Sequence, residues 1–434
     1  MNVRITPRRF TDTVRIPASK SHTIRQLLIA SLADGESEIK YPLDSLDTRS
    51  CLCACKAFGA EIAEQRNGAE IVSWKVRGNG GFKKAKNIGA KIDVGNSGTT
   101  LYLALAVAAL QQQAIEFTGD EQIQKRSAAA LLDALAGLGV NSQSNNGCAP
   151  ITIKGGWKGG RVSLPCPTSQ YLSAILIAAP LAPAGVVTEI DVPLLNEKPY
   201  IEMTLSYLKA HGIPYNASPD FSHFSISGGS SWKPFSSSVP ADFSSAAFPA
   251  AAAAITGGSV TLLGLDPQDT QGDKFFLEIL KEMGCDIQYT YDGEKNTVIA
   301  VSRNTPLKGG TFDLNKTPDL LPAAAVTAAF ADGDTSLVNV AHARIKETDR
   351  IAVMAQELAK FGIHCTELPD GLIIHGKGAL SPPENTVIEG HGDHRIVMAF
   401  AVAALGSPIP VEITTAESAA VTYPGFIDKL IVNF

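Results

Sequence analysis

The sequence lacks the features by which several large classes of protein are recognised. Its net charge of −6 and the lack of any Lys/Arg-rich run argue against a nucleic-acid-binding surface. No apolar run follows the arginines of residues 1–10, so we expect no signal peptide. Alanine-rich stretches such as 246–255 are broken by glycine before they are long enough to span a bilayer. We therefore expect a protein that is neither membrane-bound nor bound to nucleic acid.

Motifs for metals, nucleotides and disulfides are also missing. The chain has no His-Glu-x-x-His pattern, no Gly-x-Gly-x-x-Gly after a strand and no P-loop sequence, so we expect neither a metal nor a cofactor. The seven cysteines are an odd number. The closest three, Cys51, Cys53 and Cys55, lie in a predicted helix, where alternate residues do not share a face, so we do not expect them to bind a metal together. This cysteine usage fits a reducing cytoplasm.

What the chain does contain is one pattern repeated six times. Each copy has a polar turn, an Ala/Leu-rich helix, a turn with glycine or proline, and a β-branched strand. The starts recur about every 75 residues, which indicates internal duplication. The copies are 23–39, 99–117, 169–190, 244–263, 319–338 and 394–413.

A second helix is predicted in five copies, at 47–58, 126–138, 200–211, 274–283 and 351–361. Each is followed directly by a glycine, which helix C-termini prefer. The first helix of each copy is apolar nearly all round and should be buried. With 434 residues, more than one core is expected. We predict an α/β fold of two three-unit domains, with helices inside, sheets outside, a boundary near 239–242 and a site in the interdomain cleft.

A polar cluster begins each of the six apolar helices. Helix N-termini present free N–H groups to anions, and the glycine-rich turn 95–99 would let a phosphate approach the backbone closely. A serine or threonine at any one such position is usually only a helix cap. Six equivalent clusters around one cleft would instead form an anion site. The clusters lie at 19–21, 95–99, 168–170, 242–245, 319 and 393–395.

The segment 344–350 concentrates charge where a strand is predicted to enter a helix. Five of its seven residues are charged. Glu347 and Asp349 suit a helix start, where acidic side chains meet the positive end of the dipole, whereas Lys346 and Arg350 do not. The simpler interpretation is a solvated helix start with ion pairs. The functional interpretation is a site whose ligand is an anion.

Cations lie at or near most of the polar turns, and two carboxylates lie among them. A site this cationic favours a ligand with several negative charges, such as phosphates and carboxylates. Asp319 and Glu347 could transfer protons there. The cations are Lys20, Arg25, Arg126, Lys346, Arg350 and Arg395.

These residues, taken in order over nearly the whole chain, resemble the 5-enolpyruvylshikimate-3-phosphate synthase family of enolpyruvyl transferases. The runs Lys346 to Arg350 and Asp393 to Arg395 are highly specific for it. The other matching motifs are Lys20-Ser21 with Arg25, Asn96-x-Gly98-Thr99, Thr118-Gly119-Asp120 with Arg126, Ser169-Gln170 and Lys198-Pro199-Tyr200.

The resemblance implies an inside-out α/β barrel of two domains, 21–239 and 1–20 with 240–434, which close on substrate. It implies transfer of the carboxyvinyl group of phosphoenolpyruvate to the 5-hydroxyl of shikimate 3-phosphate, with release of phosphate, through a tetrahedral intermediate. This step belongs to the shikimate pathway of aromatic amino acid biosynthesis. It also implies a monomer that needs no metal or cofactor and has small-molecule substrates as its partners.

The resemblance assigns residues to each substrate and to the chemistry. The residues implied for shikimate 3-phosphate are Ser21, Arg25, Thr168, Ser169, Gln170, Tyr200 and Lys346. Those implied for phosphoenolpyruvate are Lys20, Gly98, Arg126 and Gln170 at the phosphate, and Arg350 and Arg395 at the carboxylate. Asn96 and Asp319 are also counted among the substrate-binding residues. Asp319 is the implied base for the hydroxyl proton, and Glu347, or else Lys20, is the implied acid for the methylene carbon.

Four positions depart from the family pattern. Val421 replaces a lysine that contacts phosphoenolpyruvate, Glu197 replaces a small hydroxyl residue, His342 replaces an asparagine near the shikimate ring, and Tyr102 replaces an arginine. Either a neighbouring residue compensates, or affinity is poor, or the acceptor differs.

Two alternatives remain open at this point. The sister enzyme that uses UDP-N-acetylglucosamine has a Lys-Asn pair at the first turn and a loop cysteine, whereas this chain has Lys20-Ser21 and no cysteine in 111–127. A relative that binds anions without turnover is the other alternative, because fold alone does not guarantee activity.

Overall fold

The structure, a computed structural model of the chain, describes residues 1–85, 88–291 and 297–432. Eleven α-helices occur in these residues. They are α1 Lys20–Leu32, α2 Leu46–Ala57, α3 Gly98–Ala108, α4 Ala129–Gly137, α5 Gln170–Ala178, α6 Lys198–Ala210, α7 Phe243–Thr256, α8 Phe275–Glu282, α9 Leu321–Ala329, α10 Arg350–Lys360 and α11 His394–Leu405.

The same described residues contain twenty-four β-strands. They are β1 Val3–Ile5, β2 Thr11–Arg15, β3 Glu36–Lys40, β4 Glu61–Asn67, β5 Glu70–Arg77, β6 Lys91–Asp93, β7 Ile115–Thr118, β8 Asn141–Asn145, β9 Cys148–Lys154, β10 Gly160–Ser163, β11 Val187–Asp191, β12 Tyr215–Ala217, β13 His223–Ser227, β14 Ser236–Ser238, β15 Ser259–Leu265, β16 Cys285–Tyr291, β17 Thr297–Arg303, β18 Leu307–Lys308, β19 Thr311–Asp313, β20 Ala331–Val338, β21 His364–Leu368, β22 Gly371–Lys377, β23 Val387–Ile388 and β24 Val411–Ile413.

The strands form six separate sheets that repeat one topology. Four sheets have four strands in the orders β14-β3-β5-β4, β6-β7-β9-β8, β10-β11-β13-β12 and β2-β15-β17-β16. A fifth has the order β18-β20-β22-β21 with β19 also on β20, and the sixth is β1-β24-β23. In each, the strand that follows a buried helix pairs in parallel with one neighbour and antiparallel with another. The duplication predicted from the sequence is therefore visible as six sheets with the same central strand pairing, although the sixth has only three strands in the described residues.

The chain divides into two compact units. One is Lys20–Val239, with α1 to α6 and the first three sheets. The other combines Met1–Ser19 with the chain from Pro240 onward, because β1 pairs with β24 and β2 pairs with β15. The interdomain location of the site stays a prediction.

Burial of the first helix in each copy confirms the predicted arrangement of helices inside and sheets outside. All residues of α3, α9 and α11 are buried, as are all residues of α7 before Thr256. Each of these helices carries alanine and other apolar residues on nearly every face, so it can be covered on every face. The second helices bury a single face. In α10 the buried residues are Arg350, Ile351, Met354, Glu357 and Leu358.

Two details of the sequence prediction are wrong at the level of boundaries. Helix α4 begins at Ala129 rather than at Arg126, because Arg126 is extended and the Ser127 hydroxyl accepts the N–H of Ala129. No strand leads directly into α10; a 3-10 turn at Ala341–Ile345 comes between them. The predicted second helices are otherwise present, and the glycine after each has positive φ, as expected of a residue that ends a helix.

Among the described helices, none combines the length and apolar character that a membrane crossing needs.

Candidate active site

The start of α1 positions the first predicted cation. Lys20 is the first residue of the helix, and its Nζ lies 3.2 Å from Oδ2 of Asp47 in the first turn of α2. The Asp47 side chain is 5% exposed, so this ion pair is largely shielded from solvent. The sequence does not indicate that Asp47 belongs to the candidate site, because an acidic residue in the first turn is an ordinary feature of helices. The pair holds the ammonium group of Lys20 beside the polar turn.

Arg25 lies one turn further along α1 and is buried among three helices. Its Nε donates to Thr204 Oγ1 at 2.9 Å, and its Nη2 lies 3.2 Å from Ser173 Oγ. Its Nη atoms also donate to the carbonyls of Ser21 and Tyr200. Burial lowers the pKa of Arg25 to about 10, against the opposing effect of nearby tyrosines and Glu197. Arg25 therefore contacts the backbone of Ser21 and of Tyr200, two residues that the resemblance also assigns to shikimate 3-phosphate.

The glycine-rich turn before α3 lies against Arg126. A β-carbon built on Gly98 would lie 2.5 Å from Arg126 Nη1, so the absence of a side chain is what lets the guanidinium approach the helix start. Ser97 caps α3 by accepting the N–H of Thr100. The Asn96 side chain contacts the segment after β7 instead of Arg126. Its Nδ2 donates to Asp120 Oδ2 at 2.6 Å and to Gln122 Oε1 at 2.8 Å.

The N-terminus of α5 already holds an anion, supplied by Glu197. Oε2 of this buried carboxylate accepts from Ser169 N at 3.0 Å, Ser169 Oγ at 2.8 Å and Thr168 Oγ1 at 3.2 Å. These are two of the residues that the resemblance assigns to the 3-phosphate. Gln170 follows as the first residue of α5, and its Oε1 is buried without a hydrogen-bond partner among the described residues.

In the other unit, Arg350 is surrounded by three carboxylates. Its Nε and Nη2 bind Asp393 at 2.8 and 3.1 Å, its Nη1 donates to Asp319 Oδ1 at 2.9 Å, and its Nη2 donates to Glu347 Oε2 at 2.6 Å. The arginine side chain is 1% exposed. Four charge-assisted hydrogen bonds thus fix a guanidinium at the first residue of α10.

Asp319 joins the three predicted cations of this unit. Oδ1 lies 2.9 Å from Arg350 Nη1 and 4.0 Å from Lys346 Nζ, and Oδ2 accepts from Arg395 Nη2 at 2.9 Å. Burial alone would raise the pKa of Asp319. The charges of the three cations outweigh burial, Arg395 most strongly, and hold the pKa far below its usual range. Asp319 is therefore an ionised carboxylate at neutral pH.

Asp393 and Thr348 complete the support of Arg350. Asp393 caps α11 by accepting the N–H of Arg395, and its Oδ2 also accepts from Thr348 Oγ1 at 3.0 Å. Burial would raise the pKa of Asp393, but the charge and hydrogen bonds of Arg350 hold it below 3.8. Asp349 caps α10 and pairs with Arg344, as expected for a helix start.

One buried carboxyl near this cluster was missed by the sequence prediction. Asp273 lies in the 3-10 turn before α8, is 2% exposed, and accepts a hydrogen bond from Ser244 at the start of α7. Burial raises the pKa of Asp273 to about 7, and the negative charge of Asp319 adds to this. Burial dominates at Asp273 and raises its pKa. At Asp319 the charges of three cations outweigh burial and lower the pKa.

Two of the other three departures from the family pattern, Tyr102 and His342, have structural partners of their own. Tyr102 packs edge-on against Tyr171, with ring centroids 5.0 Å apart, and both hydroxyls donate to the carbonyl of Ser127. His342 is buried, with Nε2 3.1 Å from the carbonyl of Asn315. Val421 ends a 3-10 turn after β24 and supplies no charge.

Comparisons with known proteins agree with this arrangement. A sequence profile of the family described as EPSP synthase (3-phosphoshikimate 1-carboxyvinyltransferase) matches residues 5–430. Proteins named 3-phosphoshikimate 1-carboxyvinyltransferase from Acetivibrio thermocellus and Ruminiclostridium cellulolyticum are each 44% identical to the chain. The alignment covers 99% of this chain and 97% of the first protein, and 97% of this chain and 95% of the second.

A solved structure gives the same result. EPSP synthase from Acinetobacter baumannii superposes with a TM-score of 0.79 at 30% identity, covering 98% of this chain and 97% of that one. The sequence match, the fold and the predicted family motifs therefore agree, and the chain belongs to the EPSP synthase family.

Proposed function

We propose that this chain transfers the carboxyvinyl group of phosphoenolpyruvate to the 5-hydroxyl of shikimate 3-phosphate and releases phosphate. The family match over residues 5–430 and the names of relatives at 44% identity support this activity. The single observation that carries it structurally is the cluster around Asp319, where an ionised carboxylate lies among Lys346, Arg350 and Arg395. Such a cluster suits a reaction between two anionic substrates that needs a base.

Asp319 is the proposed base for the acceptor hydroxyl. In the free protein its low pKa makes it a weak base, because three cations stabilise the ionised form. A phosphoenolpyruvate carboxylate bound by Arg350 and Arg395 would neutralise part of that charge. The pKa of Asp319 would then rise toward its usual value, which makes Asp319 a stronger base when phosphoenolpyruvate is bound.

The proposed chemistry is an addition followed by an elimination. The acceptor oxygen loses its proton to Asp319 and attacks C2 of phosphoenolpyruvate. At the same time C3 gains a proton from the Lys20 ammonium group or from Glu347, whose carboxylate must first take up a proton because Arg350 pairs with its ionised form in the free protein. Loss of phosphate from C2 and of a proton from C3 then restores the double bond in the product. Glu347 lies in hydrogen-bond contact with Arg350, 2.6 Å away, so its carboxyl group is held in one orientation.

Substrate binding would use both sets of residues described above. We propose Ser21, Arg25, Thr168, Ser169, Gln170, Tyr200 and Lys346 for shikimate 3-phosphate, and Lys20, Gly98, Arg126, Gln170, Arg350 and Arg395 for phosphoenolpyruvate, with Asn96 supporting the turn before α3. Four hydrogen bonds already engage Arg25 and four engage Arg350. Both guanidinium groups are therefore held in one orientation before a ligand binds. A ligand carboxylate would either accept a remaining N–H of the arginine or displace one of its present acceptors.

A coupled phosphate-release assay tests this function. Phosphate release should require both shikimate 3-phosphate and phosphoenolpyruvate. Lack of release at saturating concentrations of both would reject the proposal, and release when UDP-N-acetylglucosamine replaces the acceptor would favour the sister activity. Binding of shikimate 3-phosphate without turnover would instead identify an anion-binding relative.

A further inference from the structure

Glu197 has an unusual position for the residue that precedes a helix. It occupies the N-cap position of α6, yet its backbone is left-handed, with φ 58° and ψ 41°, and its side chain makes no cap on α6. An N-cap residue ordinarily has extended backbone and bonds its own helix. The carboxylate is instead 2% exposed and directed to the start of α5.

The start of α5 binds one oxygen of Glu197 as it would bind one oxygen of an anionic ligand. Three donors converge on Oε2, namely Ser169 N at 3.0 Å, Ser169 Oγ at 2.8 Å and Thr168 Oγ1 at 3.2 Å. A helix N-terminus with two flanking hydroxyls is a favourable site for a phosphate. Here the protein fills that site with its own carboxylate.

The same donors cannot serve Glu197 and a phosphate together. Each hydroxyl and each backbone N–H carries a single proton to donate. A second anion at contact distance would also be repelled by the carboxylate. A phosphate at Thr168 and Ser169 therefore requires that Glu197 move away.

We propose that Glu197 is an internal competitor for the acceptor phosphate. Its carboxylate fills the phosphate subsite of the free protein, and it must withdraw before the 3-phosphate binds to Thr168 and Ser169. Withdrawal is assisted by the backbone, since residue 197 can then return from its left-handed conformation to an extended one. Position 197 thus determines how strongly the enzyme selects a phosphorylated acceptor. This inference rests on the proposed function, because it takes shikimate 3-phosphate as the acceptor.

Calorimetric titration of Glu197→Ser and Glu197→Gln with shikimate 3-phosphate tests the proposal. Both variants should bind it at least about tenfold more tightly than the unaltered protein, because the competing charge is gone. Unphosphorylated shikimate should bind all three proteins within about twofold of one another, since it presents no phosphate to the subsite. Inorganic phosphate serves as a probe of the subsite alone. Like shikimate 3-phosphate, it should bind both Glu197 variants more tightly than it binds the unaltered protein.

A matched control and the kinetics distinguish the outcomes. Glu202→Gln removes an exposed glutamate from the same helix and should leave all affinities unchanged. In phosphate release, Glu197→Ser should lower KM for shikimate 3-phosphate while kcat stays within about twofold. If the unaltered protein turns over but neither Glu197 variant binds shikimate 3-phosphate more tightly, only the competitor role is rejected. If no protein binds or turns over shikimate 3-phosphate, the proposed function fails as well.

Discussion

At the scale of single residues, Arg350 is the centre of the charged cluster in the unit that contains Asp319, Glu347 and Asp393. A fully buried guanidinium would be costly alone, but Asp319, Glu347 and Asp393 supply three carboxylates around it. Arginine suits this position because its planar group can bind several carboxylates in fixed directions, which an ammonium group cannot do. The run of charge at 344–350 is therefore more than a solvated helix start, since its last residue, Arg350, is buried.

Replacing Asp393 by asparagine tests how far this network stabilises the fold. Removing one charge of a buried pair commonly costs roughly 3–5 kcal/mol, so we expect a loss of that order in the free energy of unfolding at pH 7. The contribution of Asp393 is fully present above pH 3.8, the usual pKa, and is lost as pH falls through its lower folded-state pKa. The difference between the variant and the unaltered protein should therefore shrink below about pH 4.

Urea unfolding between pH 3 and pH 7 measures this difference. Asp332→Asn is the matched control, because Asp332 is an exposed aspartate of β20. A difference between Asp393→Asn and the unaltered protein that stays constant with pH would show that the charge of Asp393 does not stabilise the folded state.

The proposed proton transfers predict the kinetics of two further variants. Asp319→Ala and Glu347→Ala should each lower kcat by about 10²–10⁴-fold, the usual contribution of a general acid or base, while KM changes much less. Steady-state phosphate release measures both constants. Glu384→Ala, at an exposed glutamate, serves as the control. Near-normal turnover in either site variant would remove that residue from the catalytic set.

At the scale of secondary-structure elements, the start of α3 shows how a glycine positions a cation. Gly98→Ala would place a methyl group 2.5 Å from Arg126 Nη1, and the long arginine side chain would yield before the helix backbone does. We expect the fold to survive and KM for phosphoenolpyruvate to rise by about tenfold or more, through loss of a charged hydrogen bond. KM for shikimate 3-phosphate should change less.

A double variant separates this displacement from other effects of Gly98→Ala. If the methyl group acts through Arg126, then Gly98→Ala should add little to the effect of Arg126→Lys, because the two residues share one contact. Fully additive changes in KM for phosphoenolpyruvate would show that Gly98 acts by another route.

Helices were the part of the fold that the sequence predicted best. Most of the first helices are apolar on nearly all faces, so their burial follows from composition, as α3 and α11 illustrate. Helix α1 is the exception, because it also buries His22, Arg25 and Gln26. Boundaries were less predictable where side chains compete with the helix. The Ser127 hydroxyl accepts the N–H of Ala129 and delays α4, a local bond that periodicity does not reveal.

The candidate site was predicted as a set of residues but not as a network. Asp319 and Asp393 lie 31 and 43 positions from Arg350 in the chain, so their shared contact depends on tertiary packing. Asp273 was missed because a single acidic residue before a helix is common, and its burial is visible only in the folded chain. The sequence marks Glu197 as a departure from the family pattern. The three hydrogen bonds that its carboxylate accepts depend on tertiary packing and cannot be predicted from the sequence.

At the scale of the whole molecule, the proposed binding residues are divided between the two units. Those from Lys20 to Tyr200 belong to the unit Lys20–Val239, and those from Asp319 to Arg395 belong to the other. If both groups contact the same pair of substrates, ligand binding should bring the units together. We expect the radius of gyration from small-angle X-ray scattering to fall when shikimate 3-phosphate and phosphoenolpyruvate, or a non-reacting analogue, are added.

The scattering experiment has a control within the same chain. Asp319→Ala should still bind shikimate 3-phosphate and phosphoenolpyruvate while reacting slowly, so it can be measured with both true substrates present. A radius of gyration that is unchanged in every ligand combination would argue against closure.

Phosphorus NMR of the reaction mixture follows the proposed transfer reaction itself. We expect the phosphoenolpyruvate signal to be lost only when shikimate 3-phosphate is present. Inorganic phosphate and a new phosphomonoester signal should then appear in equal amounts. Loss of phosphoenolpyruvate with the shikimate 3-phosphate signal unchanged, or no reaction at saturating concentrations of both, would contradict it.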